Sequence, residues 1–202
     1  MEVKECPQCG APVNVSGKKC EYCGAEFFIS SLAYLSIFND SEVAKYLKYY
    51  KNILNSDKDN IERLLGLGLC YLRMKSYILA KKIFEKIIET SPEISQAYYY
   101  FSLSAIAGKR IRSMSLKEIR QIEEFLQTAM EIDTKPQYTL LLSMIKGDYY
   151  EANGMKINGF SKESLLFSIK DLPIETNELQ HLISSIKVGN LDTYLKFIET
   201  KE

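Results

Sequence analysis

The sequence has a single histidine, His181, and few of the side-chain combinations that catalysis uses. It contains no glycine-rich phosphate-binding loop, no HExxH metal motif and no recognisable set of serine, histidine and acid. His181 stands between Gln180 and Leu182, where we expect an exposed position on a helix. Cys70 lies in an apolar stretch, where a thiol is usually inert packing. We therefore expect no enzymatic activity and no small-molecule substrate.

An excess of charge of either sign is also missing, because 26 Lys and Arg residues balance 26 Asp and Glu residues. No global positive field therefore draws the chain to nucleic acid. Long apolar runs are missing too, since the longest stretch without a charged residue, 94–108, is too short and too polar to span a bilayer. The first ten residues contain no apolar signal core, so we expect a cytoplasmic protein without membrane insertion.

What the sequence does contain is two CxxC pairs near its beginning. Cys6 and Cys9 are followed, after ten residues, by Cys20 and Cys23. This spacing is typical of a structural zinc site with four cysteine ligands. Four thiolates leave zinc no open position for water, so the spacing favours a structural Zn²⁺ over a catalytic one. A redox CxxC and a rubredoxin-type iron centre are the alternatives, and the redox pair would need a βαβ context that the flanks lack.

Residues 1–26 are predicted to form a zinc ribbon with a short β-hairpin between the two pairs. Gly10 and Gly24 follow the pairs and can adopt the positive φ that such turns require. So short a segment buries little apolar surface, whereas structural zinc contributes about 10–16 kcal/mol in finger peptides. The segment resembles bacterial zinc-ribbon modules with a CPxCG...CxxCG pattern; the resemblance covers about an eighth of the chain and implies a role only for the four cysteines, as metal ligands. Such modules contact nucleic acid, contact proteins or cap a fold.

After residue 26 the apolar spacing becomes that of amphipathic helices. Residues 61–74 and Tyr77–Thr90 predict two helices joined by a tight turn at Lys75 and Ser76. This hairpin resembles a tetratricopeptide repeat (TPR). The residues at the family's spacings are Leu64, Leu67, Gly68, Tyr71, Ala80, Phe84 and Pro92. The resemblance implies close packing at Gly68 and Ala80, and a helix end at Pro92.

Further repeats are predicted on both sides of this hairpin. Residues 27–60 fit a degenerate repeat, and 95–108 with 116–132 fit a third repeat with an insertion at 108–115. Beyond Pro136 we expect helices at 137–146, 162–170 and 175–188, a loop at 147–159 and a last helix through Tyr194 and Ile198. The predicted fold class is thus mainly α: an antiparallel helix-hairpin, TPR-like solenoid with a small N-terminal four-cysteine zinc ribbon. The predicted domains are the ribbon at 1–26, the repeats at 27–136 and degenerate or capping helices at 137–202.

The resemblance also implies a concave groove, because the first helix of each TPR pair lines it. The residues placed there are Leu32, Leu35, Phe38, Leu65, Leu69, Leu72, Tyr99, Tyr100 and Leu103. Such an apolar and aromatic surface suits an amphipathic helix or extended segment of a protein partner. The alternative is that these residues are core, covered by the protein's own C-terminal helices. The leading hypothesis is a non-enzymatic adaptor or scaffold for protein–protein interaction.

One local basic cluster supports a second hypothesis. It consists of Lys109, Arg110, Arg112, Lys117 and Arg120, with Glu118 as the one acid among them. A solvated loop and helix start would account for this composition. The alternative is a nucleic-acid-binding accessory factor that uses the ribbon and this cluster to neutralise phosphates.

Overall fold

A computed structural model gives the architecture of the chain. It describes residues 3–14, 19–157, 159–172, 178, 182–183, 185–189 and 191–199. The chain divides into two compact units, Met1–Pro92 and Glu93–Glu202. The predicted domains 1–26, 27–136 and 137–202 stay predictions. His181 lies outside the described residues, as does most of the helix predicted at 175–188.

The first unit begins with two short strands and continues with helices. Strands β1 (Val3–Glu5) and β2 (Pro12–Asn14) pair antiparallel, with Lys4 opposite Val13. The helices are α1 (Leu32–Ser36), α2 (Asp40–Leu54), α3 (Ile61–Arg73) and α4 (Tyr77–Thr90). The two strands lie on either side of the first CxxC pair. The predicted hairpin is a different one, between the two CxxC pairs, and it includes residues 15–18, which lie outside the described part.

Local sequence signals set where these helices begin. Asn39 and Glu42 form a reciprocal capping box at the start of α2, and the Asn60 side chain accepts a hydrogen bond from the Arg63 amide at the start of α3. Helix α3 packs against both α2 and α4. The close approach depends on Gly68, because a Cβ there would lie 2.6 Å from Cε1 of Phe84. The packing at this TPR-like position agrees with the sequence pattern.

The second unit contains further helices and one unusual turn. Helices α5 (Ser95–Ile106), α6 (Leu116–Ile132) and α7 (Pro136–Ile145) pack in sequence order, and α8 (Lys162–Ser168) packs on α7. A 3-10 turn at Ile111–Ser113 occupies the predicted insertion, and Leu191–Glu199 forms α9. The helices predicted at Tyr77–Thr90 and Leu116–Ile132 are confirmed with their bounds.

The loop predicted from residue 147 is wrong at its beginning. Helix α7 continues directly into a π-helical turn, Lys146–Glu151. The reason is a buried polar cluster: Lys146 Nζ lies 2.7 Å from Glu123 Oε1, and the Tyr150 hydroxyl donates to Glu123 Oε2 at 2.8 Å. Lys146 also lies over the Tyr150 ring, 4.9 Å from its centroid. These contacts hold both ends of the turn against α6, so glycine at 147 does not end the helix.

None of the described helices combines the length and the apolar character that crossing a membrane requires.

Candidate metal centre

The sulfur atoms of the four N-terminal cysteines lie together. All lie within 4.8 Å of one another, with Cys6 Sγ 3.7 Å from Cys23 Sγ and Cys9 Sγ 3.8 Å from Cys20 Sγ. A disulfide requires about 2.05 Å, so these sulfurs are not bonded to one another. Cys6 and Cys20 are buried, whereas Cys9 and Cys23 are exposed at the rim. The two pairs thus form one cluster with a buried and an open side.

Both CxxC pairs are held by the same backbone pattern. The amide of Gly10 donates to the carbonyl of Cys6 at 3.0 Å, and the amide of Gly24 donates to the carbonyl of Cys20 at 2.8 Å. Gly10 and Gly24 have φ of 73° and 72°, a region that side chains disfavour. The sequence expectation that these glycines take positive φ is confirmed. Each turn therefore directs two sulfurs to one point.

Backbone N–H groups favour the thiolate form of these cysteines. Burial raises the pKa of Cys20, but the amides of Cys23 and Tyr22 point at its sulfur and the net effect lowers that pKa to about 7. At Cys6 the corresponding amides act in the same direction, but burial dominates and raises the pKa to about 12. A bound cation would displace these thiol protons, since metals bind the thiolate.

The cluster fits a tetrahedral cation with sulfur ligands. Zinc–sulfur bonds of about 2.3 Å place the sulfurs of a tetrahedron about 3.8 Å apart. The Cys6–Cys23 and Cys9–Cys20 sulfur distances, 3.7 and 3.8 Å, match this edge. The geometry is therefore consistent with a metal-binding site of four cysteines, as the spacing predicts.

The first CxxC turn is fastened to helix α2. Lys45 Nζ donates to the carbonyl oxygen of Gln8 at 3.2 Å, and Gln8 Nε2 donates to the carbonyl oxygen of Glu42 at 3.4 Å. The segment that follows the second turn is held by tyrosines. The Tyr46 hydroxyl donates to the carbonyl oxygen of Glu26 at 3.0 Å. Polar contacts therefore join both CxxC segments to helix α2.

Phe27 forms a small apolar cluster with the metal site. Its side chain is fully buried and packs with Cys6, Cys20 and Ala25, while Phe28 packs against that cluster. The tyrosine hydroxyls that satisfy this segment's backbone were missed. A signal was present: Tyr46 and Tyr50 stand four apart on one face of α2, and buried tyrosines need a hydroxyl partner.

The nine residues predicted to line a groove are mostly buried. The buried ones are Leu32, Leu35, Leu65, Leu69, Leu72, Tyr99, Tyr100 and Leu103. Phe38 is half-buried, and its ring centroid lies 5.1 Å from that of Tyr34 and 5.5 Å from that of Tyr46. Burial favours the alternative that these side chains are core, and partner binding through them stays a prediction.

The five basic residues of 109–120 are exposed, and two of them are already paired. Lys109 Nζ lies 3.1 Å from Glu118 Oε1, and Arg112 donates to Asp148 at 2.9 Å. Arg110, Lys117 and Arg120 complete the cluster. The local neutralisation by Glu118 and Asp148 weakens the attraction for a polyanion. A nucleic-acid contact at this cluster stays a prediction that no distance supports.

The comparisons with known proteins agree with a repeat-like helical fold. No protein-family model matches the chain, and no curated protein matches it either. A solved structure that resembles it is the crystal structure of MamA, a TPR-like protein, with a TM-score of 0.50 and 17% sequence identity. The match covers 85% of this chain and 92% of MamA. At this identity the similarity shows the fold alone: the chain is mainly helical and TPR-like.

Proposed function

We propose that this TPR-like chain is a non-enzymatic scaffold for protein–protein interaction that carries one structural Zn²⁺. The zinc ligands are Cys6, Cys9, Cys20 and Cys23. The single observation that carries the proposal is the closed four-sulfur geometry, with edges of 3.7 and 3.8 Å. Four sulfurs fill a tetrahedral site and leave no position for a substrate or a water. This supports a structural role for the metal.

Zinc, when bound, supplies a fixed junction between two short segments that have little apolar core of their own. The chain's own residues stabilise the thiolates, exclude water and attach the ribbon to the helices. The backbone amides of the two CxxC turns stabilise negative sulfur, and Phe27 excludes water from the buried side of the cluster. Lys45, Tyr46 and Tyr50 then attach the ribbon to α2. The ribbon thereby extends the rigid surface of the first unit.

Partner binding is supported by the fold and by exposed apolar side chains. TPR-like folds use surfaces made of several helices, although a shared fold does not by itself assign a function. In the first unit Tyr22 is 71% exposed on the second CxxC turn, and Ile78 is 76% exposed on α4. Because Leu69 and Tyr99 are buried, charged replacements there would test folding rather than binding. The exposed positions are the better probes of partner contact.

Two measurements test the proposal. Native mass spectrometry should show one zinc ion per chain, and this ion should be lost from a variant with Cys9→Ser and Cys23→Ser. Photo-crosslinkers at Tyr22 and Ile78 in the native cell should capture a defined protein, while one at the exposed Lys58, in the turn between α2 and α3, serves as the control. If no site captured protein above background, the scaffold function would be wrong. A protein without tightly held metal would refute the zinc assignment.

A further inference from the structure

A cleft lies between the first CxxC turn and helix α2. Its volume is about 940 Å³, within the range of ligand and peptide sites. The residues that line it are Glu5, Cys6, Pro7, Gln8, Cys9, Gly10, Lys45, Lys48, Tyr49, Asn52, Ile53 and Ser56. One wall is therefore the metal-binding turn, and the other is a face of a regular helix.

The helical wall is basic and presents polar atoms at regular spacing. Lys45, Lys48, Tyr49 and Asn52 follow one another at intervals of three, one and three residues, which places them on one face of α2. Glu5 is the one acidic side chain among the described residues that line the cleft. The balance of charge along this wall is thus positive.

The polar groups of the wall are available to a ligand. Within the described part of the chain, Lys48 forms no ion pair. The Tyr49 hydroxyl and the side-chain amide of Asn52 have no hydrogen-bond partner there. Lys45 uses one of its three donors on the carbonyl of Gln8 and keeps two. The carbonyl contact holds this ammonium beside the first CxxC turn. An incoming carboxylate would meet donors that are already positioned.

The opposite wall limits where an anion can lie. A tetrathiolate with a divalent cation carries two negative charges, so anionic groups are disfavoured near the exposed sulfur of Cys9. Carboxylates are therefore directed to the α2 side. Pro7 and Ile53 contribute apolar atoms that an aliphatic side chain can cover. An occupant with spaced acidic groups and an apolar residue satisfies both walls.

We propose that the cleft between the Cys6–Cys9 turn and α2 binds an acidic, extended peptide segment of a partner protein. The segment's carboxylates pair with Lys45 and Lys48, and its backbone meets Tyr49 and Asn52. This inference rests on the proposed scaffold function and names the class of partner. Binding requires the metal, because the turn that forms one wall depends on it.

The test uses the zinc-loaded full chain and a labelled peptide of glutamate and serine with one leucine. Fluorescence anisotropy should show binding that weakens about tenfold when Lys45→Glu and Lys48→Glu are combined, since two exposed ion pairs with the peptide are lost. The matched control combines Lys58→Glu with Lys82→Glu, two exposed lysines of the same unit outside the cleft, and should retain binding. Circular dichroism checks that each variant folds. Removing zinc should abolish binding.

Several binding results would overturn the inference. These are no binding by the zinc-loaded chain, equal weakening by the control pair, equal binding of a peptide with glutamine in place of glutamate, and tighter binding of a single-stranded oligonucleotide of equal charge. Amide chemical shifts of Lys48 and Tyr49 should move with the acidic peptide, and a shift confined to other residues would also contradict the site.

If the Lys45 and Lys48 variant still crosslinks its cellular partner at Ile78, the cleft is wrong and the scaffold function stands. If acidic peptide binds but no cellular protein is captured, the scaffold function fails by itself.

Discussion

The Tyr50 hydroxyl donates a hydrogen bond of 3.0 Å to the carbonyl oxygen of Phe27 and accepts one of 2.9 Å from the amide of Ile29. One side chain of α2 thus satisfies two buried backbone groups of the segment that leaves the metal site. The Tyr50 ring in turn lies against Gly66 of α3, where a Cβ would fall within 2.6 Å of the hydroxyl oxygen. This chain of contacts links the four-cysteine cluster to helix α3.

Replacing Tyr50 by phenylalanine should destabilise the first unit by about 1–3 kcal/mol, because the carbonyl of Phe27 and the amide of Ile29 lose their partner while they stay buried. Chemical denaturation measures the loss. Tyr49→Phe is the matched control, since the Tyr49 hydroxyl has no partner within the described residues. Equal stability of the two variants would contradict the role of the Tyr50 hydroxyl.

Removal of zinc by a chelator should increase hydrogen exchange in α1 and α2 and leave the second unit unchanged, because the metal turns attach to α2. Cys9→Ser should produce the same increase without a chelator. The control is Cys70→Ala, which removes a buried thiol outside the cluster and should keep full zinc content. Hydrogen exchange by mass spectrometry reports both effects, and unchanged protection of α2 after metal loss would contradict the coupling.

Gly68→Ala should destabilise the chain by about 1–3 kcal/mol, although alanine ordinarily favours a helix over glycine by about 1 kcal/mol. The reason is the contact with Phe84, whose ring lies where the new methyl group would be. A second change, Phe84→Leu, removes the clash and should make the Gly68 substitution far less harmful. Thermal unfolding of the single and double variants measures this coupling. Additive effects would show that the helices do not meet here.

Lys146→Met should destabilise the second unit by about 3–5 kcal/mol, because it leaves the Glu123 carboxylate buried without its cation. Adding Glu123→Gln should restore part of this loss, since the amide is neutral and still accepts a hydrogen bond from Tyr150. The double variant is compared with both single variants by urea unfolding. A double variant less stable than Lys146→Met would contradict this account.

The capping box of α6 predicts a dependence on pH. The Ser115 hydroxyl and amide, together with Lys109, lower the pKa of Glu118 from its ordinary 4.5 to about 2. A carboxylate with a depressed pKa contributes stability above its ordinary pKa, and this contribution is lost as pH falls toward 2. Glu118→Gln should flatten that part of the stability profile. Ser115→Ala should lower stability by about 1 kcal/mol at neutral pH.

The sequence identified those features that local spacing determines. The CxxC spacing predicted that Cys6, Cys9, Cys20 and Cys23 come together, and the period of apolar residues predicted α3, α4 and α6. Both signals depend on residues close in sequence, so they do not require knowledge of packing. The identity of the metal stays a prediction, because sulfur geometry alone is compatible with iron as well.

Contacts between residues far apart in the sequence could not be predicted from local spacing. The carbonyl of Phe27 meets Tyr50, more than 20 residues later, and the cleft beside Gln8 exists because Lys45 reaches that turn. Apolar positions assigned to a groove, such as Leu69, proved buried, since composition does not distinguish a covered helix face from an open one. The loop predicted from residue 147 also failed at Lys146–Glu151, because the contacts of Lys146 and Tyr150 with Glu123 hold a helical turn there.

The π-helical turn at Lys146–Glu151 changes which side chains of this helix end point inward. A bond from residue i to i+5 takes in one residue more than an ordinary α turn, so the chain beyond it is rotated by about 100° relative to α7. Asp148 and Tyr149 consequently both point inward, and Asp148 accepts the amide of Gly189 at 2.8 Å. Deleting one residue at that point would restore a regular α-helix. The Asp148 carboxylate would then face water, and the amide of Gly189 would lose its hydrogen bond.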